Sequence, residues 1–170
     1  NPSTGCSSAN ATLNVTVNAL PTVGAGANQA VCAGTSVTLS GSGAASYTWN
    51  NGVTNAVAFT PNATTTYTVT GTAANGCTNT AQTTVTVNAL PTVGAGSNQT
   101  VCAGTSVTLS GSGAASYTWN NGVTNAVAFT PNATTTYTVT GTAANGCTNT
   151  AQTTVTVNAL PTVSAGSNQT

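Results

Sequence analysis

The sequence predicts an all-β chain built of small β-sandwiches in tandem, and three observations predict it. Apolar and polar residues alternate with a period of two in short runs, and no window shows helical periodicity. Gly, Pro and Asn, the residues that turn a chain, separate those runs. The whole pattern also returns after 70 residues, at Leu20-Pro21, Leu90-Pro91 and Leu160-Pro161.

Within the first full repeat the elements follow in order. "SVTLSGSG" sets Val37 and Leu39 on one face, with Ser36, Thr38 and Ser40 on the other. Tyr47 with Trp49, Val57 with Phe59, Tyr67 with Val69 and Val85 with Val87 repeat that alternation in the runs that follow. Each such run reads as a half-buried strand. Asn51-Gly52 and Asn75-Gly76 sit between runs and carry a short-range hairpin signal, because both residues tolerate positive φ. Pro21 and Pro61 fall between strands, where a missing N–H costs little. Six or seven short strands in about 70 residues make one small sandwich.

Aligning residues 19–88 with 89–158 leaves two substitutions, Ala27 to Ser97 and Ala30 to Thr100, so these spans are two full repeats. Residues 1–18 read as the C-terminal strand of a truncated preceding repeat. "VTVNAL" from Val15 matches the run from Val85, and Cys6 resembles Cys77 with one residue inserted. Residues 159–170 read as the first strand of a following repeat. Such ends suit a window onto a longer array, or strands donated between molecules.

Composition bounds the chemistry. The 170 residues include no Lys, Arg, Asp, Glu or His, and 39% are hydrophobic. A disordered chain is usually poor in hydrophobics and rich in charge, and this one is neither. With no basic residue there is no electrostatic footprint for nucleic acid or anionic lipid. No apolar run approaches the ~18 residues of a membrane span, so no membrane insertion is expected. No basic stretch followed by an apolar run marks a signal peptide.

General acid–base catalysis needs tuned His, Asp, Glu or Lys groups, and a Ser-His-Asp set has no members here. Hard or imidazole metal ligands are missing as well, so no enzyme, metal or cofactor is expected. "GAGANQ" and "GSGAAS" are Gly-rich, but no P-loop Lys follows, and they read as turns.

"ANQAVCAGTSVTLSGSGAASYTWNNG" and "TTTYTVTGTAANGCTNTAQTTVTV" resemble the Ig-like and PKD-like repeats of large surface adhesins from the Bacteroidota. The likeness covers the whole chain. It rests most on the "VCAGTSVTL" opening, Trp49, the strand of Tyr67 and Val69, and the "NGC" hairpin. It implies an immunoglobulin-like sandwich, with Trp49 as its core Trp and Tyr67 as its corner Tyr. It also implies secretion, commonly by the type IX route, and a role as stalk, filament or adhesin. The chain departs from the PKD pattern where an acidic W-D-F-G-D-G-like stretch is usual, since Asn50-Asn51-Gly52 follow Trp49. The sorting domain of a type IX substrate is also missing from this sequence.

The five cysteines, Cys6, Cys32, Cys77, Cys102 and Cys147, are too sparse for a zinc cluster and have no charged neighbour to activate a thiol. They are disulfide candidates in an oxidising compartment, with buried free thiols as the alternative. A small domain with a thin core gains from such a staple, about 4 kcal/mol on the loop-entropy estimate. Two pairings stay open. The simpler stays inside each repeat, Cys32 with Cys77 and Cys102 with Cys147. In an Ig-like sandwich, however, those two positions lie at opposite ends. A bridge spans only about 6 Å between Cα atoms, against roughly 17–20 Å for a strand. In a tandem array that topology favours Cys32 with Cys147, the outer cysteines pairing elsewhere.

Three further features each admit more than one reading. Trp49, Tyr47, Phe59 and Tyr67 are core residues or a sugar-stacking surface. The sequons at Asn62, Asn98 and Asn132, with others at Asn10, Asn14 and Asn168, are glycan acceptors or the chance product of a Thr- and Asn-rich chain. The rows Thr66, Thr68, Thr70, Thr72 and Thr84, Thr86 are ordinary β-formers, O-glycosylation sites, or a flat hydroxyl lattice for ice or polysaccharide. The expected function is structural: extracellular or cell-surface repeats that pack end to end and laterally, with copies of the chain as partners. The alternative is an adhesin module that binds glycans or ice.

Overall fold

The computed structural model describes Gly5 and residues 12–166. The first repeat forms six strands, β1 (Gln29–Cys32), β2 (Val37–Thr38), β3 (Ser46–Trp49), β4 (Ala58–Phe59), β5 (Thr65–Thr72) and β6 (Thr78–Asn88). The second forms β7 (Gln99–Cys102), β8 (Val107–Thr108), β9 (Ser116–Trp119), β10 (Ala128–Phe129), β11 (Thr135–Thr142) and β12 (Thr148–Asn158). Each repeat folds as a four-stranded sheet, in order β1-β6-β5-β3 or β7-β12-β11-β9, with a two-stranded sheet, β2-β4 or β8-β10. The chain changes sheet on leaving β1, β2, β3 and β4. Only the β5–β6 connection joins neighbours in one sheet. These are tandem immunoglobulin-like sandwiches.

Alternation decides which face is buried. Val37, Leu39, Trp49, Tyr67, Val69 and Val85 are buried, and their counterparts in the second repeat form one core cluster. Full burial of a Val such as Val69 or Val85 stabilises by about 2 kcal/mol. In the second repeat β7 lies parallel to β12, Val155 opposite Gln99, while β11 runs antiparallel to both β12 and β9.

Both Asn-Gly pairs turn the chain, but only one closes a hairpin. At Asn75-Gly76 the Gly76 N–H reaches the Ala73 carbonyl at 2.9 Å and the Ala73 N–H reaches Cys77 at 2.8 Å. Gly76 takes φ 83° after the turn, as a three-residue hairpin loop requires. Asn51 and Gly52 also take positive φ, 55° and 71°. The strands they link, β3 and β4, lie in different sheets, so the expected hairpin there is a crossing between sheets. Its cause is the competing partner. Trp49 pairs with Val69 in β5, and Asn50 continues that ladder with its N–H on the Thr68 carbonyl at 3.1 Å and its side chain on the Thr68 N–H at 3.0 Å.

Val57 also departs from expectation. It is 53% exposed, because a turn brings the Val57 N–H to the Thr54 carbonyl at 3.2 Å and places Ala56 at φ 59°. The strand begins one residue later, and Phe59 pairs with Val37.

Tyr67 is in the core as expected, edge-on to Phe59 with ring centres 5.3 Å apart. The hydroxyl that bonds back to the main chain just upstream belongs instead to Tyr47, which donates to the Ala44 carbonyl at 2.7 Å and accepts its N–H at 2.8 Å. The Tyr47 ring lies over Gly41, where a Cβ would collide with it. Gly43, at φ 81°, lets the chain pass the Thr22 carbonyl, which a Cβ would strike.

Trp49 is held by a polar residue that the alternation does not mark. The Asn55 side-chain oxygen accepts the indole N–H at 3.0 Å and the Gly41 N–H at 2.7 Å. Asn125 does the same for Trp119 and Gly111 at 3.0 and 2.8 Å. Residues 12–20 and 159–166 form no strand, and Leu13, Val15, Val17 and Val163 stand exposed.

Two sets of variants test this packing by urea denaturation. Asn55→Ala is expected to lose about 2 kcal/mol, the cost of leaving a buried donor unpaired. The exposed Asn62→Ala is expected to stay within about 0.5 kcal/mol of the parent chain. Gly43→Ala is expected to lose about 3 kcal/mol, from left-handed strain combined with the clash.

Candidate functional site: the cysteines and the hydroxyl face

A chain without charged side chains forms no side-chain ion pairs, and beyond its apolar cores it is tied by a covalent bond and by neutral hydrogen bonds. Cys32 is the last residue of β1, and Cys147 follows the β11–β12 turn immediately before β12. The two form a disulfide with Cα atoms 5.6 Å apart, across a sequence separation of 115. Cys147 is only 1% exposed. Both cysteines belong to one compact unit, which comprises Ala30–Thr35, Thr60–Thr65 and Val85–Thr170. Cys77 is half-buried and Cys102 exposed, and both are free thiols. Cys6 lies outside the described residues.

The outer face of each larger sheet is a field of hydroxyls. Strand register aligns Thr148, Thr142 and Ser116 in one row across three strands, and Thr150, Thr140 and Thr118 in the next. Thr156 stands opposite Thr100. Neighbouring strands are about 4.8 Å apart and same-face residues about 6.8 Å apart along a strand, so the hydroxyls form a roughly rectangular net. Part of it is bonded internally. Thr66 meets Thr84, and Thr136 meets Thr154, both at 3.0 Å. Gln82 and Gln152 donate to Thr68 and Thr138 at 3.1 and 3.2 Å.

The aromatic residues present no comparable surface. Trp49 and Tyr67 are each 5% exposed, and Tyr47 and Phe59 are half-buried in the contacts already described. This removes the sugar-stacking arrangement considered from the sequence. Of the sequons, Asn62 and Asn132 are exposed just before β5 and β11, and Asn14 is exposed near the start of the described chain. Asn98 is exposed too, but its side-chain oxygen accepts the Thr154 N–H at 2.9 Å. Asn10 and Asn168 lie outside the described residues.

Several side chains that tie the fold together have no motif to mark them. Asn28 holds the Thr84 N–H at 2.8 Å, Asn79 reaches the Pro21 carbonyl at 3.0 Å, and Thr64 holds the Val87 N–H at 3.0 Å. Thr83 is buried and donates to the Ala27 carbonyl at 3.0 Å. The parity of Val85 and Val87 was the signal available for Thr83, since position 83 lies on the same inward face. Among the described residues no buried side-chain polar atom lacks a hydrogen-bond partner. No group of His, Cys, Asp or Glu suited to a metal occurs among them, and no helix is long and apolar enough to cross a membrane.

No family model and no curated protein matches the chain. Among solved structures it is similar to the insect immune protein hemolin, at 17% identity and TM-score 0.41, over 82% of this chain and 46% of that one. It is also similar to a three-Ig segment of titin, at 14% identity and TM-score 0.39, over 83% and 67% of the two chains. A two-Ig module of the Drosophila receptor tyrosine phosphatase DLAR is similar at 14% identity and TM-score 0.34, over 82% and 100%. The chain spans less than half the length of hemolin.

The disulfide closes a long loop, so its reduction is expected to lower stability by about 5 kcal/mol on the chain-entropy estimate. Urea midpoints of oxidised and reduced chain, with Cys32→Ser as a second route to the open form, measure this. Unchanged midpoints on both routes would contradict it.

Proposed function

We propose that the chain is a stretch of an extracellular or cell-surface filament, stalk or adhesin, in which repeats 19–88 and 89–158 are successive mechanical units. The supporting observation is the Cys32–Cys147 disulfide, a covalent bond between a residue of one repeat and a residue of the next. Such a bond suits an oxidising compartment. Near-identical repeats offer equivalent surfaces to their neighbours, as quasi-one-dimensional arrays require. A surface without charge has no electrostatic self-repulsion, so chains pack laterally through hydroxyls and amides. The likeness of the "VCAGTSVTL" and "NGC" stretches to PKD-like adhesin repeats of the Bacteroidota fits the same reading. The partner in this reading is another copy of the chain.

A second reading has one observation in its favour, the ordered hydroxyl net with its Thr136–Thr154 bond. A carbohydrate or an ice surface is the ligand class that such a net suits. Glycan-array binding or ice-growth inhibition by the chain would support it, and the absence of both alongside visible rods would favour the structural reading.

The structural reading is tested by electron microscopy and light scattering of purified chain. Rods or beads at a regular spacing are expected, unchanged between low and high salt. Between pH of about 3 and 8 they are expected to persist, because the chain has no Asp, Glu or His side chain to change charge there. Disassembly on a modest rise in ionic strength would contradict it.

A further inference from the structure

Two thiols stand outside the Cys32–Cys147 bond, and each occupies the position of one bonded partner. Cys102 ends β7 as Cys32 ends β1, inside the same letters "VCAGTSVTL". Ala103 donates to the Asn158 carbonyl at 2.9 Å as Ala33 donates to Asn88 at 2.8 Å. Thr105 and Thr35 each donate to the cysteine carbonyl at 3.0 Å. The backbone presenting Cys102 therefore matches the backbone presenting Cys32. Cys77 matches Cys147 in the same way. Both follow an Asn-Gly turn with the glycine at φ 83° or 85°, and both place their N–H on the preceding Asn side chain, at 3.0 and 3.1 Å. One copy thus carries, unbonded, both halves of a staple that it also carries bonded. The bonded half Cys147 is buried, whereas Cys77 is half-buried and Cys102 exposed, as unmade halves would be.

We propose that Cys102 of one copy and Cys77 of a second copy form the same disulfide, repeating between copies the bond that Cys32 and Cys147 make within one. This rests on the array reading and deepens it by naming the junction. Each copy offers one half at each junction, so the contact is head to tail and does not close on itself, which yields an open chain of copies.

The oxidant is a small disulfide, for which oxidised glutathione serves. The Cys102 thiolate attacks one glutathione sulfur, forming a mixed disulfide and releasing one glutathione thiol. The Cys77 thiolate of the second copy then attacks the Cys102 sulfur and releases the other. Two protein thiols are oxidised, one glutathione disulfide is reduced to two thiols, and the two protons end on glutathione.

The test incubates equal amounts of unlabelled and 15N-labelled chain with oxidised glutathione. A non-reducing gel and mass mapping of crosslinked peptides provide the readout. The expected result is a ladder at multiples of one chain's mass, with Cys77–Cys102 peptides of which about half join one light and one heavy partner. Cys77→Ser and Cys102→Ser are each expected to abolish the ladder altogether, dimer included, and mixing the two variants to restore a dimer joined through Cys102 of one and Cys77 of the other. Cys77–Cys102 peptides without mixed labels, Cys6 bonded to either thiol, or a prevailing Cys102–Cys102 bond would each overturn the proposal. Rods that form equally well from the Cys77→Ser, Cys102→Ser double variant, with no ladder from the parent chain, would overturn the staple and leave the array standing. Absence of both rods and ladder would overturn both.

Discussion

One uncharged oxygen holds the centre of each sandwich. The Asn55 side chain takes the indole N–H of Trp49 and the main-chain N–H of Gly41, tying the core tryptophan to the segment that leads into β3. A buried indole without an acceptor costs about 1–3 kcal/mol, a large fraction of the roughly 5–15 kcal/mol that separates a folded domain from its unfolded chain. With no carboxylate or cation in the chain, amides and hydroxyls must carry every such tie. Asn28, Asn50, Asn79 and Thr64 show that they do. The same side chains that make the surface neutral thus make the interior specific.

Strand content and the buried set were legible in the sequence, because a period of two assigns faces directly. Val37, Leu39, Trp49, Tyr67, Val69 and Val85 all lie inside on that rule. What it missed depends on pairing between distant segments. Asn51-Gly52 turns the chain by local preference, but whether a turn closes a hairpin depends on which strand its neighbour pairs with, and β3 pairs with β5. Val57 is lifted out by the turn that brings its own N–H to the Thr54 carbonyl, a turn fixed in place where the Ala56 N–H reaches the Leu39 carbonyl at 2.9 Å. The Asn55 tie joins residues that alternation treats as unrelated. At the candidate site, the spacing of the cysteines identified them without deciding their partners. The hydroxyl rows were visible as lists of threonines, and strand register turned them into a net.

Neutrality and the disulfide act together. A charged surface keeps small domains apart in solution, whereas this one leaves association to short-range bonding that salt does not screen. Such bonding is weak per contact and, in the proposed array, would sum over many repeats. In the proposed array a covalent link between successive repeats would carry load that hydrogen bonds alone would release one by one. Repetition at this fidelity repeats the backbone that presents each cysteine, so that Cys102 stands as Cys32 does and Cys77 as Cys147 does, while the bond itself is made once, between Cys32 and Cys147.

Single-molecule stretching of the chain from its two termini tests the central claim most directly. With Cys32 bonded to Cys147, the 115-residue span between them is shielded from the applied force. Adding reductant is therefore expected to lengthen the fully extended chain by about 400 Å, at roughly 3.5 Å per residue released. Full extension of both repeats before any reductant is added would show that the bond does not join them, and would contradict the account.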